Sequence, residues 1–328
     1  MKKVMIVMVV TMLMVVMAAV VNAEEFSTAF TKTVSEIPDG ADVAAMGGAT
    51  TAIPDFSSKN PALIAVETSE ELSKASINVN YGYIKFKNGP DVNLGFISGT
   101  VRLPMGAIHI SGSNGISNTG EMSEFDSIQI NSSPDIGLQY GLLIAKNLYA
   151  GISYNYSQSR ITMRTTTVNP LDMELTSKSK GHEIGTGVLY RLFDKKVNAG
   201  LFYAHSWDRG ETFIDGLSDS VENSQTDQVR FGLSANVTSM TMISAEIRHY
   251  WFPDGVTDTQ FFAGIEQYII KDFLAVYGGY ANGGLTAGAG TYFKHGGLNL
   301  AYMHRPFRET EEFLGKAEAF MLSAYVTF

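Results

Sequence analysis

Seven charged residues in the second half of the chain are the side chains best suited to chemistry. Each falls on the polar side of a segment in which every second residue is apolar: Glu183, Arg191, Arg230, Glu246, Arg248, Glu266 and Arg305. Such groups can line a polar constriction or dock another part of the chain. Arg230, Glu246, Arg248 and Glu266 fall on neighbouring segments, so we expect a cross-strand ladder of charges. The alternative is internal ion pairs that only satisfy one another.

The other reactive residue types form no catalytic or metal-binding pattern. No two of the six histidines have metal-ligand spacing: His109, His182, His205, His249, His295 and His304. The chain has no cysteine, no glycine-rich phosphate loop and no Ser/His/Asp arrangement. We therefore expect no metal, no cofactor and no catalytic residue, and interpret the chain as a protein other than an enzyme. A site at the rim of the fold is the enzymatic alternative.

Period-two alternation from Ser76 onward defines the elements that carry the charged residues. Between 148 and 157, for example, leucine, alanine, isoleucine and tyrosine alternate with glycine, serine and asparagine. One face of each segment is therefore apolar and the other is polar or rich in glycine, as in a β-strand. The pattern predicts fourteen strands, at 76–87, 91–103, 105–113, 135–146, 147–163, 180–193, 196–208, 226–238, 240–252, 258–270, 272–282, 284–295, 296–307 and 316–328.

The connections between these strands alternate in length. Tight turns such as Leu103-Pro104-Met105 and Lys146-Asn147 occupy every second connection. The others include four longer polar stretches, at 114–134, 164–179, 209–225 and 308–315. This asymmetry, with strands of about 11 to 13 residues, is typical of outer-membrane barrels. We predict an all-β fold, a transmembrane antiparallel β-barrel of about 14 strands at 76–328, with short turns and both barrel ends on the periplasmic side.

The N-terminus predicts export. Met1-Lys2-Lys3 is basic, 4–21 is almost entirely apolar, and Val21-Asn22-Ala23 supplies small residues for cleavage. We expect a cleaved signal peptide at 1–23; a membrane anchor is the alternative. The formal net charge is −9, and loss of Lys2 and Lys3 makes it about −11. A nucleic-acid partner is excluded because phosphate binding needs a basic surface.

Residues 24–75 differ from the rest in composition. The stretch is rich in glycine, proline and small residues and has no sustained alternation. Asn60 followed by Pro61 is typical of a helix start, so 61–66 is expected to form a helical turn. A segment of this size is too small for its own core. It is either a disordered leader or a plug folded inside the barrel, whose lumen is wide enough to hold it.

The chain resembles the FadL/TodX-type transporters of hydrophobic compounds and their PorV/PorQ-like relatives. The likeness rests on Ala45-Met46-Gly47-Gly48-Ala49, on Asp55, and on Asn60-Pro61-Ala62 ahead of about fourteen strands. The resemblance implies that 24–75 is an N-terminal luminal hatch, with Gly47, Gly48, Asn60 and Pro61 at the matching positions. Unlike the apolar capture loops of the fatty-acid transporters, 114–134 and 209–225 are mostly polar.

The resemblance also implies a function and a location. The first expectation is passive transport of small hydrophobic or amphipathic compounds across the outer membrane of a Gram-negative bacterium, gated by the hatch. The alternative is a PorV-like component or shuttle of a protein secretion or assembly system, and the third option is a water-filled porin. The implied partners are outer-membrane lipids, the barrel assembly machinery and a hydrophobic small molecule.

The last strand carries a further expectation. Phe320, Leu322, Ala324, Val326 and Phe328 alternate with polar residues up to the C-terminus. By resemblance to barrels of this class, Phe320, Leu322, Val326 and Phe328 form the signal that the assembly machinery reads. A barrel has no edge, so we expect this strand to pair with the first.

Overall fold

A computed structural model describes most of the chain. The described residues are 40–53, 59–69, 75–117, 120–122, 125–165, 173–214, 217–253, 255–307 and 311–328. The predicted signal peptide at 1–23 and Asp55 lie outside these ranges, so both expectations stay predictions.

Fourteen long strands of the described chain form a closed antiparallel barrel. They are β1 Ala75–Phe86, β2 Val92–Leu103, β3 Gly106–Ser117, β4 Phe125–Ala145, β5 Leu148–Thr165, β6 Met173–Leu192, β7 Val197–Ile214, β8 Leu217–Asn236, β9 Thr241–Trp251, β10 Thr257–Ile270, β11 Leu274–Ala281, β12 Gly284–Phe293, β13 Gly296–His304 and β14 Ala317–Thr327. A short strand, Gly120–Met122, pairs with β4 alone. The helices are α1 Ala41–Ala45, α2 Leu63–Ser69 and α3 Glu311–Leu314. The predicted fourteen-stranded barrel is confirmed.

Each strand pairs with its sequence neighbours, and β14 pairs with β1 to close the ring. The closing register runs from Ser76 opposite Thr327 to Phe86 opposite Ala317. The Phe328 amide also donates to the Ala75 carbonyl at 2.9 Å. Each of the fourteen long strands in the described ranges is paired on both sides, which is the condition for a sheet to lie in lipid.

The alternating residues of each strand lie on opposite surfaces of the barrel, one set outside and the other inside. On β1, Ile77 and Val79 are 48% and 51% exposed, whereas Asn78 and Asn80 are 7% and 2% exposed. The other strands repeat this pattern, so a band of large apolar side chains covers the outer surface. An apolar band of this extent is typical of a surface that contacts lipid.

The two ends of the barrel differ, and we name them by their connections. The lower end carries the turns that follow β2, β4, β6, β8, β10 and β12 and both ends of the barrel chain, and the opposite end is the upper end. Three of the lower turns place non-glycine residues at positive φ, among them Asn147 at 64°, Asp194 at 54° and Asp272 at 56°. Asn and Asp tolerate this conformation better than other side chains, which suits them to tight hairpins.

The expected long upper loops are largely strand, which corrects the sequence-based loop boundaries. Strands β4, β6 and β8 begin at 125, 173 and 217 rather than at 135, 180 and 226. Most of their described outward residues are polar, with Val221 an exception, but the alternation continues on the inner face, where Ile130 on β4 and Leu175 on β6 are each 1% exposed. The polar residues therefore mark the face that rises above the apolar band and are not a sign of irregular chain. Within 308–315, α3 is formed.

No helix in the described part of the chain is long and apolar enough to span a membrane.

Candidate functional site

Residues 40–53 and 59–69, which we call the inner segment, lie inside the barrel and follow its wall. The Ala41 amide donates to Ser323 Oγ on β14 at 2.6 Å. Thr286 Oγ1 on β12 donates to the Ala45 carbonyl at 2.6 Å. Further along, Ser234 Oγ on β8 donates to a backbone carbonyl of the segment at 2.8 Å. The segment therefore passes the strands in descending order, from β14 towards β3.

A belt of inward-facing glycines on the wall makes room for the inner segment. We call it the glycine belt; its members are Gly141, Gly151, Gly187, Gly200, Gly232, Gly264, Gly279 and Gly288. A methyl group on Gly200 would overlap the Thr51 carbonyl, and one on Gly264 would overlap the Met46 carbonyl. The belt lets two backbones approach more closely than any side chain would allow. Sequence reasoning noticed the glycine-rich face but did not single out these positions.

The belt is aligned from strand to strand. Gly141 lies opposite Gly151 and Gly151 opposite Gly187 across β4, β5 and β6. Gly200 lies opposite Gly232 across β7 and β8. Between β6 and β7 the belt steps by two residues, since Gly187 lies opposite Phe202, and it forms a shallow track around the lower half of the lumen.

Glu246 and Arg248 on β9 hold the inner segment directly. Both side chains are almost fully buried, and Arg248 Nε donates to Glu246 Oε1 at 2.5 Å. The other carboxylate oxygen accepts from the Thr51 amide at 2.6 Å. Arg248 Nη2 donates to the Gly48 carbonyl at 2.5 Å, and its guanidinium carbon lies 3.8 Å from the centre of the Phe262 ring. The buried pair is thus satisfied by extra hydrogen bonds, as such a pair requires.

The expected cross-strand ladder of charges is wrong in its pairing. Arg230 lies directly opposite Arg248, and Glu246 lies opposite Gly232. The ion pair therefore forms along β9, between residues two apart on one face. Arg230 Nε instead donates to Gln228 Oε1 at 2.8 Å. Glu266 lies on β10 near Tyr292, whose hydroxyl donates to it at 3.4 Å.

Two other predicted charges, on Glu183 and Arg191, face the lumen but lie away from the pair of Glu246 and Arg248. Glu183 accepts hydrogen bonds from Asn155 Nδ2 and Gln228 Nε2, both at 2.8 Å. Arg191 is 7% exposed and its Nε donates to Asn198 Oδ1 at 3.1 Å. The contacts with Asn155 and Asn198 bridge neighbouring strands of the wall, and the contact with Gln228 runs from β8 to β6 across β7.

Arg305 is not on the wall, contrary to the prediction. It follows the end of β13 at the upper end, with φ of 53°. Its Nε and Nη2 donate to the two carboxylate oxygens of Glu311, each at 2.7 Å. The alternation in the sequence predicts a strand through residue 307. In the structure, β13 ends at His304, because the chain turns there towards α3.

Gly47 and Gly48 turn the chain after α1. Their φ angles are 78° and 82°. The Gly48 amide donates to the Val43 carbonyl at 2.8 Å and the Gly47 amide to the Ala44 carbonyl at 3.1 Å. These two hydrogen bonds, with glycine at positive φ, are a usual way for a helix to end. The turn directs the Gly48 carbonyl at Arg248.

Asn60 and Pro61 start the second half of the inner segment. Asn60 Oδ1 accepts from the Ala62 amide at 3.1 Å, and its Nδ2 donates to the Thr51 carbonyl at 2.9 Å. The side chain thus caps the turn before α2 and ties the two halves of the segment together. Pro61 packs over Gly141 and Gly151 of the belt. The expected helical turn at 61–66 is displaced slightly, to α2 at Leu63–Ser69.

Above the inner segment, towards the upper end, a group of inward side chains is apolar. We call this group the upper apolar cluster: Ile84, Phe86, Val92, Leu94, Ile128, Ile130, Ile161, Met163, Leu175, Met303 and Phe307. It is continuous with Ala41, Ala45 and Met46 of the inner segment. The lumen therefore has a glycine-rich lower layer and an apolar cluster near the upper end, with polar side chains such as Glu183 and Gln228 between them. An interior that is apolar at one level is unlike a water-filled channel, whose interior is polar.

The last strand presents its alternate residues to the outside. Phe320, Leu322, Val326 and Phe328 are 46%, 44%, 47% and 66% exposed. Met321 and Ser323 point inward and are buried. The four residues expected to form the assembly signal therefore share one outer stripe beside the closing seam.

The described residues contain no group of three or more His, Asp or Glu side chains that could hold a metal ion.

The barrel is similar to solved structures of transporters. The Pseudomonas putida toluene transporter TodX matches at a TM-score of 0.58 and 12% identity, over 89% of this chain and 99% of TodX. A FadL homologue of Pseudomonas aeruginosa matches at 0.52 and 10%, over 89% and 98%. The translocator domain of the autotransporter NalP from Neisseria meningitidis matches at 0.54 and 9%, over 81% and 92%.

The chain therefore has a FadL/TodX-type transporter fold. At these identities the likeness is one of fold alone. No protein-family model matches the sequence, and no curated protein does.

Proposed function

We propose that the protein is an outer-membrane barrel through which small hydrophobic or amphipathic compounds pass passively, gated by an N-terminal hatch. The upper apolar cluster is the observation that carries the proposal. Apolar side chains such as Ile130, Ile161 and Met163 point into the lumen, where a porin would present polar groups to water. Their apolar surface favours hydrophobic solutes, since burial of such solutes from water is favourable.

The inner segment is the proposed hatch. It blocks the lower layer of the lumen, and the wall holds it by hydrogen bonds and by close packing on the glycine belt. Glu246 and Arg248 bond to the backbone at Thr51 and Gly48, so they clamp its middle. Moving the hatch breaks these bonds and leaves a buried ion pair short of partners, which favours the closed state. The lower end is periplasmic in this proposal, and a compound entering from above meets the apolar layer before the hatch.

Solute selectivity tests the transport part of the proposal. The purified barrel is reconstituted in liposomes, and the entry of a radiolabelled monoaromatic hydrocarbon derivative with an amphipathic side group is compared with that of a sugar of similar size. We expect the barrel to accelerate entry of the monoaromatic compound. Entry of the sugar should stay near its rate into liposomes without protein. Equal acceleration of both solutes would replace the proposal with a water-filled porin.

A PorV-like role in protein secretion is the second candidate. The observation that favours it is the structure of the upper end. There β4 to β8 extend above the apolar band as strand hairpins with largely polar outer faces. Such a surface suits contact with another protein better than the capture of a free hydrophobic compound. Purification from the outer membrane in mild detergent separates the two, because this role predicts an exported protein bound in fixed stoichiometry and no solute selectivity.

A further inference from the structure

The outer faces of β5, β6 and β7 change character row by row towards the upper end. Apolar residues such as Ile152 and Leu201 lie lowest and are 61% and 49% exposed. Above them lies an aromatic row, in which Tyr156, His182 and Trp207 are direct cross-strand partners. The His182 and Trp207 rings stack with centroids 5.5 Å apart and an interplanar angle of 14°. Such a row marks the level at which lipid tails give way to headgroups.

Four exposed cations occupy the next two rows, and we call them the basic patch. Lys180 lies directly opposite Arg209, and two residues further up Arg160 lies directly opposite Lys178. Glu211 is the one carboxylate in these two rows of the described strands, and it pairs with Arg209 at 3.0 Å. The patch therefore presents four positive charges against one negative charge.

This arrangement is unfavourable in the isolated barrel. Like charges directly opposite each other on neighbouring strands repel, and the patch contains two such pairs, Lys180 with Arg209 and Arg160 with Lys178, against one opposite-charge pair, Lys178 with Glu211. The chain as a whole carries a formal net charge of −9, so the cations are concentrated here against the general balance. An anionic partner would remove the repulsion.

The height of the patch indicates the kind of anion. Two residues along a strand advance about 6.6 Å, and a strand tilted as in outer-membrane barrels gains roughly 5 Å of height over that length. Lys180 and Arg209 thus lie roughly 5 Å above the aromatic row, and Arg160 and Lys178 roughly 10 Å above it. Those are the levels of lipid phosphate groups, directly over an apolar surface that receives the tails.

We propose that the basic patch binds the phosphate groups of a phosphorylated glycolipid in the outer leaflet. Arg160 and Arg209 can each form two parallel hydrogen bonds with a phosphate, and Lys178 and Lys180 supply compact charges between them. The tails lie on the apolar rows of β5 to β7, and the sugar lies at the level of Tyr156 and Trp207. This inference rests on the proposed outer-membrane location but not on transport or on the hatch.

Lipid titration of the purified full-length barrel in neutral detergent tests the inference. The probes are bisphosphorylated lipid A and the same glycolipid without its phosphates, with binding followed by native mass spectrometry and by tryptophan fluorescence, to which Trp207 and Trp251 both contribute. We expect the phosphorylated form to bind at least tenfold more tightly. The K180Q/R209Q variant should lose about tenfold in affinity for it, while the charge-matched K85Q/K87Q variant at the upper end of β1 keeps the wild-type affinity.

Three results would overturn the inference: equal affinity for the two glycolipids, equal loss in both variants, or displacement of lipid A by millimolar inorganic phosphate, which would indicate a site for free phosphate. Circular dichroism of each variant shows whether the barrel is folded, and an R209K variant, which keeps the charge, should bind as wild type within about threefold. Permeation in liposomes is measured separately, so failure of the lipid site and failure of the transport proposal are told apart.

Discussion

The clamp between β9 and the inner segment shows how far single residues can be interpreted. The inward direction of Glu246 and Arg248 could be predicted, because both lie on the polar face of an alternating strand. Their partners could not, since Thr51 and Gly48 are 195 and 200 positions away in sequence. Which wall residue meets which backbone group depends on the path of the inner segment, and that path has no periodic signal.

Replacing one member of the clamp should weaken both the hatch and the barrel. In Arg248→Met, the buried Glu246 carboxylate loses its partner, and breaking such a pair costs about 3–5 kcal/mol. We expect a lower free energy of unfolding in urea and a higher ion conductance in planar bilayers. In the control Arg305→Met, the lost pair with Glu311 is partly exposed and distant from the inner segment, so conductance should stay at the wild-type level. Unchanged conductance in both variants would contradict the clamp.

Two glycines on β7 offer a matched test of the glycine belt. Gly200 lies against the Thr51 carbonyl, whereas an added methyl group on Gly210 meets nothing within 4 Å. We expect Gly200→Ala to displace the inner segment and to speed its cleavage by an added protease, with the barrel strands intact. Gly210→Ala should be cleaved at the wild-type rate. The belt would lose its assigned role if both variants were cleaved at the same rate.

At the scale of the element, the closing strand allows two roles of an exposed aromatic residue to be distinguished. One role is to stabilise the folded barrel, and the other is recognition by the assembly machinery. Phe328 and Phe293 both lie on the outer surface at the lower end, 66% and 57% exposed. Phe328 belongs to the expected assembly signal and Phe293, at the end of β12, does not. A difference between them therefore reports recognition and not apolar area.

We predict that Phe328→Ser lowers the folded, membrane-inserted fraction in cells severalfold, while Phe293→Ser lowers it little. Heat-modifiable gel migration of outer-membrane fractions measures this fraction. Refolding of both purified variants into detergent should be similar, because no assembly machinery is present there. Equal yields of the two variants in cells would remove the signal role from Phe328.

The upper hairpins show why element lengths were underestimated. Serine, asparagine and threonine on the outer faces of β4 to β6 are typical of loops, but the inward Ile128, Ile161 and Leu175 are fully buried or nearly so. Strand continuation is decided by the buried face alone, because that face packs into the upper apolar cluster. In the sequence, the polar outer residues interrupt the apolar alternation, so the predicted strands end too early.

A polar group in the upper apolar cluster should reduce passage of hydrophobic compounds. Ile161→Asn places an amide in the upper apolar cluster, with the Ser177 hydroxyl directly opposite, and burial of an incompletely satisfied amide costs roughly 1–3 kcal/mol. We expect slower entry of the monoaromatic solute into liposomes and a lower free energy of unfolding. The control Thr162→Asn changes the neighbouring, outward residue, and should leave solute entry unchanged. Equal slowing by both would mean that the cluster does not line the path.

At the scale of the whole molecule, the barrel could be predicted and its contents could not. Period-two alternation, strand length and loop parity are local signals repeated fourteen times, and together they require a closed sheet. The inner segment is a single, irregular passage whose position is fixed by the glycine belt and by hydrogen bonds to residues on β6, β8, β9, β12 and β14. Its glycines, helices and caps are visible in the sequence, but their counterparts on the wall are not.

Locking the inner segment to the wall tests the gating claim most directly. A Cβ built on Gly232 would lie 3.4 Å from Ala52 Cβ, close to the separation that a disulfide needs. The chain has no cysteine, so an A52C/G232C variant forms this bond without competitors. We predict that the oxidised variant passes the monoaromatic solute at least tenfold more slowly than the same liposomes after reduction, while the G232C single variant responds to neither treatment. Equal rates before and after reduction, with the disulfide verified by mass spectrometry, would contradict a mobile hatch.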